Sequence, residues 1–317
     1  MRYRTKTVSC GRLDAVAPTA RPGQSYRERM PRPELAGVLS CVWLLHVPSG
    51  EPAYEHRTVP NGCVEMACAL DTGMVRVAGP KRGPALERVR PGTTVVGVRF
   101  RPGAASAVLR PPAAELVDID VDLDLVWGPS AATLGARLAE SASRKDAAVL
   151  LERAIAARCA AAPGADPLVT AAVRNLQPWR AGTIGDVTGE LFVSARQVRR
   201  HFKAAVGYGP KTLQRILRFQ GFLALTDTGH AGRVQLAQLA AAAGYADQPH
   251  LSRECSRLTG LTPRAFLNEM RHHCAPTHDH TPSYAPIRRA LLRPTAAGGG
   301  ALPGRQVLMN SAPSGRA

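Results

Sequence analysis

The sequence has no apolar run of about 18 residues, no paired CxxC motif and few aromatic residues, which make up 5% of its 317 positions. Without a long apolar run, no membrane-spanning helix is expected. The residues that follow Met1 are basic and polar rather than apolar, so no secretory signal is expected either. These absences predict a protein that resides in the cytoplasm.

The cysteines and histidines do not predict a metal site or a disulfide framework. The seven cysteines are an odd set: Cys10, Cys41, Cys63, Cys68, Cys159, Cys255 and Cys274. We expect them to be reduced and to act as small apolar residues. Two groups combine metal-ligating residue types, but their spacing matches no strong ligand pattern. They are His46, His56, Cys63 and Glu65, and the later set His272, His273, Cys274, His278 and His280. No metal and no other cofactor is predicted.

Positive charge is concentrated in the second half of the chain. The formal net charge is +17. Residues 170–274 hold 14 basic and 6 acidic side chains, whereas residues 41–169 hold 14 of each. A genome-wide preference for arginine would have raised the charge of both segments. The basic block therefore indicates a module that binds a polyanion.

Changes in composition divide the chain into five segments and predict an α+β protein. Residues 1–33 are rich in Arg, Pro and Gly and form an irregular lead-in. Residues 34–162 contain short apolar runs cut by turn residues and then two alanine-rich helices, which predicts a small β-rich domain ending in helices. Residues 163–170 form a linker, residues 171–274 an all-α domain, and residues 275–317 a tail whose Pro, Gly, Ser and Ala content predicts disorder.

The all-α segment contains an internal repeat with an offset of 53 residues. Thr183–Leu213 aligns with Leu236–Phe266, so that Val198 falls on Leu251, Arg200 on Arg253 and Gly207 on Gly260. Each copy reads as a short helix, a tight turn, a second helix and a Gly-x-x-Pro stop. This pattern predicts two helix-turn-helix units, whose second helix enters the major groove of DNA.

The first unit presents basic side chains on its second helix. Thr183–Glu190 is the predicted supporting helix, and Ser194 caps the helix Ala195–Val206. Val198, Phe202 and Ala205 are predicted to face inward. The groove-facing candidates are Arg196, Arg199, Arg200 and Lys203. Arginine can donate two hydrogen bonds to guanine.

The second unit presents a mixed polar surface. Leu236–Ala243 is its predicted supporting helix, Gly244 supplies the turn, and Asp247 caps the next helix with Pro249 in the first turn. The groove-facing candidates are Gln248, His250 and Arg253. Gln248 suits adenine, and Arg253 suits either guanine or phosphate. For His250, a hydrogen-bonded surface role and a base contact are equally open.

A helix is predicted between the two units, over Lys211–Leu225. About 15 residues at 1.5 Å each span roughly 22 Å. That reach allows two recognition helices to lie about one DNA turn apart, near 34 Å, on one face of the duplex.

Residues 183–267 resemble the tandem helix-turn-helix domain of AraC/XylS-family transcription regulators. The most specific match is Gly244-Tyr245-x-Asp247-Gln248-x-His250-Leu251-Ser252-Arg253, followed by Thr259-Gly260-Leu261-Thr262-Pro263. Cys255 and Leu191 depart from the Phe and Gly that are usual at their positions. The resemblance implies that several residues contact bases or the DNA backbone: Arg196, Arg199, Arg200, Gln248, Pro249, Ser252 and Arg253.

The first half resembles the sensor domain of a subgroup of the same family. The matching segments are residues 56–63 and 97–104. This resemblance implies a small-molecule effector as a partner, and a second copy of the chain and RNA polymerase as further candidate partners. Arg99 and Arg101, two positions apart, are expected on one side of a strand. They meet either an anionic effector or, as we favour, the alternating Asp118, Asp120, Asp122 and Asp124.

Three classes of function compete at this stage. The leading one is an effector-responsive, sequence-specific transcription regulator without enzymatic activity. A second is a DNA-binding module fused to an enzyme, as in DNA-alkylation repair proteins; it requires zinc-binding or nucleophilic cysteines in a defined motif, which the sequence lacks. A third, an architectural DNA-binding protein, gives no role to the neutral first domain.

Overall fold

A computed structural model describes residues 23–162, 164–180, 185, 193–226, 235–274 and 277–292. Within these ranges the first domain is β-rich and the second is helical, which confirms the predicted α+β class. The predicted supporting helix Thr183–Glu190 lies outside the described residues except at Gly185.

The first domain contains one large and one small sheet. Its strands are β1 (Ser25–Arg29), β2 (Leu39–His46), β3 (Tyr54–Thr58), β4 (Glu65–Ala69), β5 (Met74–Ala78), β6 (Ala85–Val89), β7 (Thr94–Phe100) and β8 (Asp120–Asp122). A last short strand, β9 (His278–Asp279), comes from the end of the chain. Within the described residues, the large sheet has the order β8-β5-β4-β7-β2-β1-β9, and the small sheet consists of β3 and β6.

Side-chain alternation gives the large sheet two different faces. On β7, Val96, Val98 and Phe100 are fully buried in the domain core, and Met66 of β4 joins them. Neighbouring positions on the same strands, such as Arg99, point to the opposite face because successive side chains of a strand alternate. That second face is covered by the small sheet and by the second domain, with a cavity between them.

Helices cover the first face of the sheet. They are α1 (Ala105–Leu109), α2 (Asp124–Trp127), α3 (Ser130–Ala139) and α4 (Arg144–Ala160). Leu138, Leu151 and Ile155 are fully buried among the strand residues. Glu152 of α4 is also buried, and its carboxylate accepts hydrogen bonds from Arg29 at 2.6 Å and from the Arg32 backbone at 2.9 Å.

The second domain is helical throughout its described residues. Its helices are α5 (Pro167–Asn175), α6 (Ala195–Val206), α7 (Pro210–Thr226), α8 (Leu236–Ala242), α9 (Gln248–Thr259) and α10 (Pro263–Cys274). Phe202, Phe219, Phe222 and Leu251 are fully buried at its centre. Because α5 begins at Pro167, the expected linker of 163–170 is shorter than predicted.

Two segments expected to be irregular are ordered elements. Ser25–Arg29, inside the expected lead-in of 1–33, is strand β1. In the tail expected to be disordered from residue 275, β9 pairs in parallel with β1, and α11 (Thr281–Leu292) packs against α7 and β1. Leu291 is 1% exposed in the second-domain core. These elements are stabilised by partners distant in sequence, which local composition does not reveal.

The two domains are in direct contact. The turn at Pro60 and Gly62 packs on α7, where the Gln220 side-chain amide donates to the Pro60 carbonyl at 2.8 Å. At the C-terminal end of α6, Gly207 lies against Pro80 and Val117 of the first domain. A side chain at Gly207 would have its Cβ 2.8 Å from both residues. The first domain therefore touches a predicted recognition helix.

Candidate functional site

Helices α6 and α9 have the same local architecture. Each is 12 residues long, and the second begins 53 residues after the first. Ser194 caps α6 in a reciprocal capping box with Gln197, and Asp247 accepts a hydrogen bond from the His250 backbone N–H at the start of α9. Both end at a glycine with positive φ, which residues with a side chain rarely adopt. Among the described residues, the second helix of each copy and its caps thus repeat in structure.

The basic side chains of α6 lie on its outer surface. Val198, Phe202 and Val206 face the core; Ala205, predicted to face inward, is half-buried. The four groove-facing candidates are exposed: Arg196, Arg199, Arg200 and Lys203. None of the four forms an ion pair with any residue that the structure describes.

The outer surface of α9 is less basic. Gln248, Pro249 and Arg253 are exposed, whereas Ser252 and His250 are half-buried. The His250 ring packs edge-on against Tyr245, with 5.2 Å between the ring centroids. Within the described part of the chain, Arg253 has no carboxylate partner. The neighbouring Glu254 instead accepts a hydrogen bond from Arg215 of α7 at 2.6 Å, which fixes α9 on the connecting helix.

The structure also contains a cavity of about 640 Å³ that is partly open to solvent. Its walls come from the second face of the large sheet, from the small sheet, from α7 and α10, and from the segment 278–284. The cavity thus has residues of both domains around it. Sequence reasoning missed most of them, although alternating polar residues on predicted strands were the available signal.

Arg99 is at the centre of an ion-pair network on one wall of this cavity. Its guanidinium donates to Glu28 at 3.0 Å, to Glu65 at 2.9 Å and to the Ser283 hydroxyl at 2.9 Å. The sequence predicted an ion pair, but with the wrong partners. Asp118, Asp120 and Asp122 pair instead with Arg82, Lys81 and Arg76. Arg101 follows the end of β7 and donates to the Ala36 carbonyl, so the two arginines do not act as a pair.

A second ion pair joins the two domains beside the cavity. Arg57 of β3 donates to Glu269 of α10 at 2.9 Å and to the Thr259 carbonyl at 3.1 Å. The Arg57 side chain is 1% exposed. Thr259 is the last residue of α9, so Arg57 binds directly to the C-terminal end of the second predicted recognition helix.

The pKa values of two carboxyl groups in the cavity wall are shifted in opposite directions. Burial raises the pKa of Glu28, but hydrogen bonds from His280 and Ser283 and the charge of Arg99 outweigh it and lower the pKa to about 2. For Glu87 of β6, burial and the nearby charges of Glu65 and Asp120 raise the pKa to about 7. Glu87 lines the cavity and is solvent-accessible there.

The described cysteines do not have the properties of nucleophiles. Burial raises the pKa of Cys41, Cys63 and Cys68 to about 12 and that of Cys255 to about 11, so they are thiols at neutral pH. In the ranges that the structure covers, no group of His, Cys, Asp and Glu is arranged to hold a metal ion. None of the described helices is long and apolar enough to cross a membrane.

The fold and the two capped helices define a helix-turn-helix protein, and comparison with family models agrees. Residues 187–269 match the model of a helix-turn-helix domain, and residues 27–122 match a domain of unknown function, DUF6597. The chain therefore carries an AraC-type helix-turn-helix domain behind a DUF6597 domain, which confirms the resemblance and identifies a DNA-binding transcription regulator.

Solved structures to which this chain is similar include ToxT of Vibrio cholerae. An apo ToxT variant from strain SCE256 is 12% identical, with 76% of this chain and 99% of that chain covered and a TM-score of 0.40. ToxT from strain O395 is 11% identical, with 69% and 96% covered and a TM-score of 0.37. ToxT with bound unsaturated fatty acid is 9% identical, with 77% and 94% covered and a TM-score of 0.35. The search of curated proteins gave no match.

Proposed function

We propose that this regulator reads two successive major grooves of its operator with α6 and α9, and that a small molecule in the cavity modulates that binding. The observation that carries the proposal is the matched pair of capped helices whose outward cations have no carboxylate partner among the described residues.

The contrast with other arginines supports this function. Arg57, Arg99 and Arg215 are half-buried or buried and are held by carboxylates. The arginines at the outer face of α6 and α9 are exposed and remain available for phosphates or guanine. Placing unneutralised cations on two helices of one domain creates a surface that suits a polyanion.

The connecting helix α7 sets the relative position of the two proposed recognition helices, α6 and α9. It contacts both α6 and α9 and is 17 residues long, or about 25 Å at 1.5 Å per residue. The N-terminal ends of α6 and α9 are exposed, and this is the end of a recognition helix that reaches base edges. The C-terminal ends instead contact the first domain, through Gly207 and through Thr259.

Helices α6 and α9 have different proposed roles toward DNA. On α6, Arg196, Arg199, Arg200 and Lys203 mainly anchor phosphates, with guanine contacts from the arginines. On α9, Gln248 reads adenine, and Arg253 reads guanine or binds phosphate. Pro249 and Ser252 contact the DNA backbone, and His250, whose ring packs edge-on against Tyr245, has the more structural role. RNA polymerase and a second copy of the chain stay predicted partners.

The described residues favour a non-enzymatic regulator over an enzyme fused to a DNA-binding module. The enzymatic alternative needs a nucleophilic or zinc-binding cysteine. The five cysteines whose side chains the structure describes have raised pKa values, and four of them are buried.

Gel-shift and footprinting experiments on the region upstream of the protein's own gene test the proposal. Arg200→Ala and Arg253→Ala should each weaken binding and should remove protection from different halves of the site. Arg153→Ala is the matched control, because this exposed arginine of α4 carries the same charge but lies in the first domain. Identical footprints for the two helix variants, or an equal loss with the control, would refute the two-groove model.

A further inference from the structure

The last described segment of the chain is attached to both domains. Strand β9 lies beside β1 at the edge of the large sheet, and the Tyr26 backbone N–H donates to the Thr277 carbonyl at 3.2 Å. Helix α11 follows β9 and packs on α7 of the second domain. We call residues 277–283, which comprise β9 and the start of α11, the strap. The strap thus joins the sheet of the first domain to a helix that is held by the second.

Two residues of the strap cover the ion-pair network of Arg99. The Ser283 backbone N–H donates to Glu28 at 3.0 Å, and the Ser283 hydroxyl accepts a hydrogen bond from Arg99 at 2.9 Å. His280 Nδ1 lies 3.6 Å from the same Glu28 carboxylate. Beneath the strap, Cys41 is fully buried, and its Sγ lies 3.7 Å from the Ser283 hydroxyl. The strap therefore closes this side of the cavity and shields Cys41 from solvent.

The attachment of the strap to the first domain is small and polar. Strand β9 is two residues long and pairs with β1 in parallel, a pairing that is slightly less stable per residue than the antiparallel one. Each hydrogen bond in such a contact contributes a net stabilisation of about 1 kcal/mol. When the strap leaves, Glu28 keeps its ion pair with Arg99 at 3.0 Å, so this buried charge retains its partner. Release from β1 is therefore inexpensive.

The attachment of α11 to the second domain is apolar and deeper. Leu291 is 1% exposed in the core of that domain, and Ile287 and Leu292 pack against the same core. Gly221 of α7 makes room for Leu291, since a Cβ on this glycine would lie 3.3 Å from the leucine Cδ1. Burial of one leucine side chain stabilises by about 1.5–3 kcal/mol. Of the two attachments, the one to β1 breaks first.

We propose that the strap is a gate, which releases from β1 to admit a ligand to the cavity while α11 stays on α7 and transmits the release to the DNA-binding helices. This inference rests on the proposed function, since it names how the cavity opens and how its occupancy reaches the second domain. His278 and His280 of the strap line the cavity, so a ligand there lies next to the strap. The onward route is short, because α7 contacts both α6 and α9.

Two variants of the full-length protein change the strap in opposite directions. In the release variant, His280→Ala and Ser283→Ala together remove the side-chain contacts of the strap with the ion-pair network. In the locked variant, Arg27→Cys and Asp279→Cys form a disulfide between β1 and β9, because these two exposed residues are partners in the strand register. Arg289→Ala, an exposed change at the other end of α11, is the control for release. Arg27→Cys alone is the control for locking.

Opening is measured as the rate at which N-ethylmaleimide labels Cys41, followed by mass spectrometry of the peptide that contains it. Cys68 is the internal control, because it is fully buried in the core on the opposite face of the same sheet. Relative to the controls, Cys41 labelling should be about tenfold faster in the release variant and several-fold slower in the locked variant, with Cys68 unchanged. A Cys41 rate that neither variant alters would overturn the gate. An equal rise at Cys68 would do so too, since it indicates a loosened domain.

Gel shifts on the region upstream of the protein's own gene, with the same samples, test the transmission. The released and locked variants should differ in DNA affinity by about threefold or more, and equal affinities would refute transmission through α7. If Cys41 labelling responds but the parent protein binds no upstream DNA, the proposed function is wrong and the strap is still a gate. If Arg200→Ala and Arg253→Ala weaken DNA binding while Cys41 labelling never responds, the gate is wrong and the regulator assignment stands.

Discussion

Arg57 of β3 and Glu269 of α10 form an ion pair across the two domains, with 2.9 Å between Arg57 Nε and Glu269 Oε1. The same guanidinium holds the carbonyl of Thr259, the last residue of α9. The buried Arg57 side chain in the cavity wall therefore binds both α9 and α10 of the second domain. A ligand that moves β3 would move this contact as well.

Replacing either partner should destabilise the protein strongly. Removing one member of a buried pair leaves the other charge uncompensated, at a cost of about 3–5 kcal/mol. We expect Arg57→Ala and Glu269→Ala each to approach that loss in urea denaturation, and the double variant to lose less than the sum. Arg88→Ala is the control, because its pair with Glu55 is exposed and should contribute under about 1 kcal/mol. Additive losses would show that the pair is not coupled.

The glycines that end the two recognition helices should respond differently to alanine. Both have positive φ, so each substitution introduces backbone strain of about 1 kcal/mol or more. At Gly207 the new Cβ would also crowd Pro80 and Val117 at 2.8 Å, whereas at Gly260 the nearest atoms are 3.8 Å away. Thermal denaturation should show a larger loss for Gly207→Ala. Equal losses would contradict the described packing of α6 on the first domain.

Salt dependence should distinguish phosphate anchoring from base reading. Arg199→Ala is expected to weaken binding to all DNA sequences and to reduce the slope of log K against log salt by about 1. Gln248→Ala should leave that slope unchanged and relax discrimination at a single base pair by about 1–3 kcal/mol. Binding titrations at several salt concentrations, with the operator and a scrambled duplex, provide the measurement. A reduced slope in Gln248→Ala would reverse the assigned roles.

Glu87 should make the protein less stable as the pH rises. Its pKa is about 7 in the folded protein against an ordinary value of 4.5, so the folded state binds the proton more tightly between these values. Stability from this group is therefore present below pH 4.5 and is lost as the pH rises through 7. Glu87→Gln should flatten that decline, while Glu55→Gln should retain it. The pKa of Glu28 is lowered to about 2, so its contribution to stability is present above pH 4.5 and is lost as the pH falls toward 2.

The second domain could be predicted closely because its determinants are local. Ser194, Asp247, Gly207 and Gly260 fix helix starts and ends within a few residues of chain, and the structure places α6 at the predicted bounds. The connecting helix differs from its predicted range by one residue at each end. Roles of individual side chains toward DNA stay predictions.

Pairings between distant segments could not be predicted. Arg99 was expected to meet the aspartates near residue 120, but the register of β7 with β4 places it opposite Glu65, and β1 brings Glu28 to it. The cavity has the same origin, since its walls come from segments more than 200 residues apart. Composition also misidentified residues 277–292, whose order depends on docking to β1 and α7.

Strand β9, which follows the second domain in the chain, pairs with β1 at the edge of the first domain's large sheet. After leaving the first domain and building the second, the backbone comes back to its starting sheet, and α11 then lies along α7. A protease cut between the domains would therefore yield a nicked molecule whose two pieces stay associated rather than two free modules. The N-terminal piece would keep a strand of the C-terminal piece at its edge.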